Sequence, residues 1–203
     1  MEILSHRGHW LTPQEKNSRN AFERSVRGGF GTETDVRDLA GQLVVAHDPP
    51  MGDEIPWIDV VTQFDKAALP LAVNIKADGL AQLLKRAFEG TKLPWFAFDM
   101  SGPETVRYAK EGLPFFTRHS DIEPEPILYN EAVGVWLDDF KGGWINSALV
   151  KRHLSAGKRV CIVSPELHGR DPFDVWSWLK DLADEPHLSL CTDHPQIAKS
   201  EFL

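Results

Sequence analysis

The chain has 203 residues, of which 42% are hydrophobic and 26% are charged, and its formal net charge is −8. This length is sufficient for one domain with a full hydrophobic core, and we expect a single domain over residues 1–203. The negative charge argues against a nucleic-acid-binding protein, which needs a basic face. A phosphate-containing substrate stays possible if a metal ion inverts the local field.

The apolar segments are too short for a membrane span, which requires about 18 consecutive apolar residues. The N-terminus lacks the basic and apolar regions of a secretory signal, so we expect no leader segment. Cys161 and Cys191 both lie within apolar runs, which favours buried strand residues over a disulfide. These observations predict a cytoplasmic protein.

Short apolar runs alternate with helical patterns along the chain. The predicted strands cover residues 2–6, 31–38, 70–76, 94–99, 114–118, 133–138, 159–164 and 187–192, with a shorter return strand at 43–47. Helices are predicted from Asn17 or Ser18 to Gly28, and over 78–90, 103–112, 145–157 and 171–185. Several strands lack alternation, which is typical of strands buried on both faces of a parallel sheet. Eight strands alternating with helices predict an α/β fold, a compact (β/α)8 TIM barrel with trimmed loops and no large inserted subdomain.

Polar residues follow most of the predicted strands. In such a barrel the carboxyl ends of the strands form one rim, which is where active sites are found. The rim residues are His6, Arg7, Glu33, Asp35, Asn74, Lys76, Asp99, Arg118, His119, Asp138, Asp139, Glu166, His168 and Asp193. This concentration of polar groups predicts a functional site at the rim.

Glu33 and Asp35 are two residues apart on the second strand, so their side chains point to the same face. Two carboxylates on one buried face repel each other unless a cation lies between them, and oxygen ligands of this kind suit Mg²⁺ or Ca²⁺. A solvated strand face is the alternative interpretation.

His6 and His47 each end an apolar run where the chain turns. A lone histidine in such a place is usually structural. Two histidines beside one acidic strand can instead supply a general base and a general acid near neutral pH.

Four segments in this order resemble the glycerophosphodiester phosphodiesterase family of phospholipase-C-like enzymes: HRG at 6–8, NSRNAFERS at 17–25, TETDVR at 32–37 and LVVAHDP at 43–49. A weaker similarity extends to LAVNIK at 71–76 and CTDHP at 191–195. The family folds as a (β/α)8 barrel, so the resemblance agrees with the pattern of strands and helices.

The resemblance implies a metal-dependent phosphodiesterase acting on a glycerophosphodiester-like substrate, with a role in lipid metabolism. It implies that His6 and His47 are the acid–base pair, that Glu33 and Asp35 bind the divalent metal, and that Arg7 and Lys76 contact the phosphate. In the family mechanism a neighbouring substrate hydroxyl attacks phosphorus, the second histidine protonates the leaving alcohol, and water opens a cyclic phosphate.

Two positions depart from the family pattern. Asn74 stands where the family has a third metal-binding glutamate, so Asn74 would offer only a neutral carbonyl oxygen, unless Asp99, Asp138, Glu166 or Asp193 replaces the missing carboxylate. Lys16 stands where the family has a glutamate. The segment between His47 and Asn74 is also shorter than is usual, which predicts an open mouth that admits a bulkier diester.

His168 and Arg170 follow the seventh strand, within SPELHGR at 164–170, and we predict that they contact the substrate phosphate or a sugar. A helix cap at Asp171 is the structural explanation for part of this motif.

Three functions remain open from the sequence. They are a hydrolase, a lyase-type phosphodiesterase that releases the cyclic phosphate, and a catalytically degenerate barrel that binds a phosphoryl ligand. The predicted partner is a small-molecule, glycan or lipid-headgroup phosphodiester. The sequence leaves undecided the alcohol, the choice between Mg²⁺ and Ca²⁺, and the oligomeric state.

Overall fold

A computed structural model describes residues 1–203 and contains one ten-stranded sheet and seven α-helices. The strands are β1 (Glu2–His6), β2 (Gly31–Leu39), β3 (Gln42–Val45), β4 (Ile55–Pro56), β5 (Leu71–Ile75), β6 (Trp95–Phe98), β7 (Phe116–Ser120), β8 (Gly134–Asp138), β9 (Arg159–Val163) and β10 (Leu188–Thr192). The helices are α1 (Arg19–Gly28), α2 (Trp57–Ala67), α3 (Ala81–Ala87), α4 (Gly102–Glu111), α5 (Ser147–Ser155), α6 (Phe173–Leu179) and α7 (Pro195–Phe202).

Eight of the strands run parallel, and β1 lies between β2 and β10. On one side the order continues from β2 to β5 and β6, and on the other from β10 to β9, β8 and β7. Between β6 and β7 the pairing is reduced to a single parallel bridge from Ala97 to Phe115. We call this place the β6–β7 seam. The predicted mixed α/β architecture with a parallel sheet is confirmed.

The parallel strands are covered on both faces, as their lack of alternation indicates. One face collects a nine-residue cluster in which Phe96 stacks on Phe116 and Phe98 on Trp136, with centroids 3.6 Å and 3.8 Å apart. Two larger clusters lie between the other face and the helices. Cys161 and Cys191 are buried free thiols, which confirms their prediction as buried strand residues.

The predicted return strand is present as β3, which pairs antiparallel with β2 so that Val45 lies opposite Val36. Between β3 and β5 the chain forms only the short strand β4 and helix α2. Helix α2 was not predicted, although Trp57, Val60, Val61 and Phe64 have helical spacing and are all buried. No helix has both the length and the apolar character needed to cross a membrane.

Several boundaries differ from the sequence prediction. Helix α3 begins at Ala81 instead of 78 because Gly79 has a φ of 90°, which is outside helical geometry, and it ends at Ala87. Strand β7 begins two residues later than predicted, at Phe116. Helix α6 begins at Phe173, since Pro172 rather than Asp171 is its N-cap, and the C-terminal helix α7 was not predicted.

Candidate active site

The HRG segment turns sharply at the end of β1, where the carboxyl ends of the parallel strands form the mouth of the sheet. Arg7 and Gly8 both have positive φ, 57° and 84°. A Cβ atom on residue 8 would lie 2.7 Å from the Cβ of Ala21, so only glycine fits between β1 and α1. This turn leaves His6 at the mouth, directly opposite Glu33 on β2.

Glu33 and Asp35 point into the protein and are almost completely buried, with 1% and 0% exposure. The alternative of a solvated strand face is therefore wrong. Burial first, and then the neighbouring Asp35 carboxylate, raise the pKa of Glu33 to about 7. A negative charge on Glu33 thus needs a cation close by.

His6 forms a pair with a carboxylate from the far end of the chain. Its Nδ1 atom lies 2.6 Å from Oδ1 of Asp193, and its Nε2 atom lies 3.9 Å from Oε2 of Glu33. Burial would raise the pKa of Asp193, but the hydrogen bond and charge of His6 lower it overall, with help from Lys16, whose Nζ is 3.6 Å from Oδ2. Asp193 therefore holds one nitrogen of the ring and directs the other toward Glu33.

The loop that follows β9 supports this aspartate. The Asp193 backbone N–H donates to Oε1 of Glu166 at 3.0 Å, and the Thr192 hydroxyl hydrogen-bonds the same oxygen. Glu166 is thus a positioning residue for Asp193. Both residues were predicted at the rim, but only as replacement metal ligands, because their contact joins distant parts of the chain.

Asp35 is held by three cationic or amide groups. Its carboxylate lies 3.0 Å from Nε of Arg7 and 3.4 Å from Nζ of Lys76, and it accepts a hydrogen bond from Nδ2 of Asn17 at 2.8 Å. Asn17 was considered only as a helix cap, but Ser18 is the N-cap of α1. Asn17 instead has a φ of 58° and directs its side chain to β2. The available sequence signal was that Asn17 directly precedes Ser18, so that only one of the two could cap the helix.

The oxygen atoms around Glu33 fit a hard divalent cation. Asn74 donates from Nδ2 to Oε1 of Glu33 at 3.2 Å, while its Oδ1 atom is buried without a hydrogen-bond partner. Oδ1 of Asp35 is also buried and accepts no hydrogen bond, although Nζ of Lys76 lies 3.4 Å from it. Mg²⁺ and Ca²⁺ prefer such carboxylate and amide oxygens. No group of three or more His, Cys, Asp or Glu side chains is arranged to hold a metal, so the amide of Asn74 would have to serve as the third ligand.

A cavity of about 180 Å³ opens in front of these groups, and we call it the reaction cavity. Its lining residues are His6, Arg7, Glu33, Asn74, Phe98, Asp99, Arg118, Trp136, Asp138, Val163, Leu167 and His168. Five of the nine predicted site residues line it. Asp35 is connected to it through its ion pair with Arg7, and Lys76 through its ion pair with Asp35.

The backbone before His47 lies beside the end of β1, next to the reaction cavity. The N–H groups of Arg7 and Ala46 donate to the carbonyls of Glu33 and Asp35, at 2.9 Å and 3.2 Å, so β1 and β3 meet end to end along one edge of β2. The His47 side chain is 44% exposed, and its Nδ1 atom lies 2.9 Å from Oδ1 of Asp48. It is not among the residues that line the reaction cavity.

The two residues after β9 that were predicted to contact the phosphate, His168 and Arg170, lie in different cavities. His168 lines the reaction cavity, and its Nε2 atom lies 2.7 Å from Oδ1 of Asp138. Arg170 instead hydrogen-bonds the carbonyl of Asp139 and lines a different cavity of about 390 Å³.

Arg118 is a cation of the reaction cavity that was predicted to lie at the rim but was assigned no role. It pairs with Asp99, its Nη1 atom lies 3.7 Å from Oδ2 of Asp138, and its Nε atom lies 3.3 Å from Oε2 of Glu123. Its neighbour His119 points to the opposite face of the sheet, where it is buried. The period of two in a strand separates these adjacent residues.

Searches of the protein-family models and of the curated proteins found no match to this chain. Solved structures, in contrast, match over nearly the whole length. A phosphodiesterase of Oleispira antarctica, solved in complex with the product sn-glycerol-3-phosphate, has a TM-score of 0.73 at 14% identity, covering 99% of this chain and 96% of that one.

A glycerophosphodiester phosphodiesterase from Agrobacterium tumefaciens has a TM-score of 0.69 at 17% identity, covering 99% of this chain and 98% of that chain. A Ca²⁺-dependent phosphatidylinositol-specific phospholipase C from Streptomyces antibioticus has a TM-score of 0.57 at 10% identity, with coverages of 98% and 95%. The chain therefore has the fold of the phospholipase-C-like phosphodiesterases, and the predicted resemblance is confirmed at the level of the fold.

Proposed function

We propose that this protein is a metal-dependent phosphoric diester hydrolase that acts on a glycerophosphodiester-like substrate in the cytoplasm. The proposal includes a closed (β/α)8 barrel, because one cluster of nine side chains draws its members from seven of the eight parallel strands. The fold neighbours named for phosphodiester hydrolysis support the same class of reaction.

The observation that carries the proposal is the pairing of His6 with Asp193. An imidazole whose Nδ1 is bound to a carboxylate presents Nε2 as a proton acceptor, and this Nε2 faces the reaction cavity beside Glu33. We assign His6 as the group that removes the proton from the attacking hydroxyl. A merely structural histidine would not need a free nitrogen in a cavity.

His47 is proposed as the second proton-transfer group. Its backbone is held beside β2 by hydrogen bonds of Ala46 and of the Arg37 side chain, and its exposed ring contacts Asp48. We propose that the ring rotates away from Asp48 to reach the mouth. Rotamer changes of exposed side chains are fast compared with catalysis.

Negative charge on the phosphoryl oxygens would be offset by Arg7 and Lys76, with His168 contributing a further contact. Arg170 has no place in this proposal, because it lines a different cavity. Glu33, Asp35 and Asn74 would hold the divalent metal. When bound, that metal supplies Lewis-acid polarisation of the phosphoryl group. Since Asn74 adds no charge, we expect weaker metal binding than three carboxylates would give.

Two alternatives keep the same residues. A lyase-type phosphodiesterase would release the cyclic phosphate instead of opening it with water. A degenerate barrel that binds a phosphoryl ligand without turnover is favoured by one observation, the occupation of the Asp35 carboxylate by Arg7, Lys76 and Asn17.

The test is hydrolysis of glycerophosphocholine and bis(p-nitrophenyl) phosphate with EDTA and with added Mg²⁺, Ca²⁺ or Mn²⁺. Wild type is compared with His6→Gln and with His187→Gln, a control at an exposed histidine. Metal-dependent turnover that is lost only in His6→Gln supports the hydrolase, and ³¹P NMR of the product separates it from the lyase. Binding without turnover under every metal would favour the degenerate barrel.

A further inference from the structure

A second histidine–carboxylate pair lines the reaction cavity. Nε2 of His168 lies 2.7 Å from Oδ1 of Asp138, close to the 2.6 Å that separates Nδ1 of His6 from Asp193. In both pairs a carboxylate holds one nitrogen of the ring and leaves the other nitrogen without a hydrogen bond. The function proposed above gives His168 only a contact to the phosphate, whereas the construction of this pair matches that of the proposed base.

The carboxylate of this second pair is fixed by the protein. Asp138 is the last residue of β8 and is only 4% exposed. Its Oδ1 atom also accepts a hydrogen bond from the backbone N–H of Asp139 at 2.9 Å, and its Oδ2 atom lies 3.7 Å from Nη1 of Arg118. Because these contacts hold Asp138 in place, Asp138 determines which nitrogen of the His168 ring is engaged.

The ring of His168 has one nitrogen that is free for a ligand. His168 ends a short 3₁₀ helix, Pro165–His168, and its ring packs on Phe140 with the centroids 4.9 Å apart. Its Nδ1 atom makes no hydrogen bond and is not buried. Since Nε2 is engaged by Asp138, Nδ1 is the atom that can exchange a proton with a ligand in the reaction cavity.

The two histidine–carboxylate pairs approach the reaction cavity from different strands. His6 ends β1, and β10 and β9 lie between β1 and β8 in the sheet. The cavity, at about 180 Å³, is smaller than the usual ligand pocket of about 300–1,000 Å³, so a phosphoryl group inside it lies near both rings. The attacking and leaving oxygens of a phosphoryl transfer lie roughly in line, on opposite sides of phosphorus. One ring can therefore serve each oxygen.

His47 has a different position from these two rings. Its side chain is 44% exposed, its Nδ1 atom contacts Asp48, and it does not line the reaction cavity. His47 reaches the mouth only after its ring has rotated, whereas His168 needs no such movement. The arrangement of the side chains thus favours His168 at the leaving oxygen and leaves His47 for proton transfers that involve water.

We propose, on the basis of the function proposed above, that His168 is the catalytic residue that protonates the leaving alcohol and that Asp138 is its positioning residue. The oxygen of the attacking hydroxyl bonds to phosphorus, and its proton passes to Nε2 of His6. The bond from phosphorus to the alcohol oxygen breaks, and this oxygen takes the proton from Nδ1 of His168. His168 regains a proton from the solvent before the next turnover.

The experiment compares two diesters of sn-glycerol 3-phosphate that differ only in the leaving group, glycerophosphocholine and the p-nitrophenyl ester. An alkoxide needs a proton to leave, whereas p-nitrophenolate leaves without one. His168→Gln should therefore lower kcat/KM about 100-fold for glycerophosphocholine, the size of one general-acid contribution, and much less for the p-nitrophenyl ester. Asp138→Asn should show the same selectivity with a smaller loss, on kcat and not on KM. His187→Gln, at an exposed histidine, is the control.

The outcomes distinguish this inference from the function on which it rests. No loss, or an equal loss on both diesters, in a folded His168→Gln variant overturns the inference and leaves the hydrolase intact. A selective loss in His47→Gln alone does the same, because it assigns the leaving oxygen to His47. Wild type that hydrolyses neither diester overturns the hydrolase and this inference with it.

A modification experiment tests the position of the ring in wild type, without turnover and without a variant. Diethyl pyrocarbonate acylates accessible histidine nitrogens, and mass spectrometry identifies the modified residues. We expect sn-glycerol 3-phosphate to protect His6 and His168 together and to leave His187 unprotected. Protection of His6 without His168 overturns the inference alone. Protection of neither shows that the phosphate does not lie in the reaction cavity, which overturns both proposals.

Discussion

Two histidine pairs in this molecule have opposite environments. His6 is paired with a carboxylate, Asp193, and its second nitrogen faces a cavity. His119 is paired with His153, whose Nε2 lies 3.0 Å from Nδ1 of His119, and His153 is also 2.9 Å from the hydroxyl of Tyr129. The second pair lies behind β7 and is almost completely buried, with 4% and 2% exposure.

The comparison shows that the partner and the access of water decide what a histidine does. Burial first, and then the proximity of His119, lower the pKa of His153 to about 4, so this pair is held neutral by its surroundings. The mouth pair has a charged partner and an open side, which is what proton transfer requires. The buried pair has neither feature.

The largest expected effect is a loss of kcat/KM on substitution in the His6–Asp193 pair but not in the His119–His153 pair. Replacing His6 by Gln should lower kcat/KM about 10³-fold, the size of one general acid–base contribution, and should leave the fold intact. Steady-state kinetics and circular dichroism measure the two readouts. His153→Gln is the matched control, and a comparable loss of kcat/KM in that variant would break the comparison.

A pH titration of stability tests the buried pair. The folded pKa of His153 is about 4 and its ordinary value is 6.5, so the unfolded state binds more protons between these limits. Stability should therefore be complete above pH 6.5 and fall as the pH decreases toward 4, by up to about 3 kcal/mol from this residue. Urea unfolding from pH 7 to pH 4.5 should show a shallower loss in His153→Gln than in wild type. Identical slopes would contradict the neutral buried pair.

Addition of a divalent metal should raise the thermal stability through the residues at the mouth. A divalent cation at 100 times its Kd should stabilise wild type by about 2.7 kcal/mol, which raises the Tm by roughly 5–10 °C in a chain of this size. Glu33→Gln should abolish this shift, whereas Glu131→Gln should keep it. Differential scanning fluorimetry with Mg²⁺ and Ca²⁺ makes the measurement, and a shift retained in Glu33→Gln would remove this residue from the proposed ligands.

The smallest effect concerns the partner of His6. Asp193→Asn keeps the shape of the side chain and removes its charge, so the imidazole loses its orienting carboxylate. We expect a 10- to 100-fold lower kcat, the usual size of such supporting contacts. The loss should fall on kcat rather than on KM, because Asp193 orients the base. An unchanged kcat would assign Asp193 a structural role only.

Part of the site could be predicted because it depends on local order. The period of two in β2 places Glu33 and Asp35 on one face, and the turn at His6 and Arg7 follows from the end of an apolar run before a glycine. The alternation of strands and helices predicted the parallel sheet for the same reason. Each of these features needs only residues that are close in the sequence.

The tertiary structure alone decided the rest. His6 and Asp193 are 187 positions apart, and although the predicted barrel makes the first and last strands neighbours, no sequence pattern indicates that these two side chains form a pair. The direction of the His47 side chain and the separation of His168 from Arg170 depend on loop geometry, which the strand pattern does not determine. A cavity of about 250 Å³ lies where β6 and β7 part after a single bridge, and that departure is a property of packing across the whole sheet.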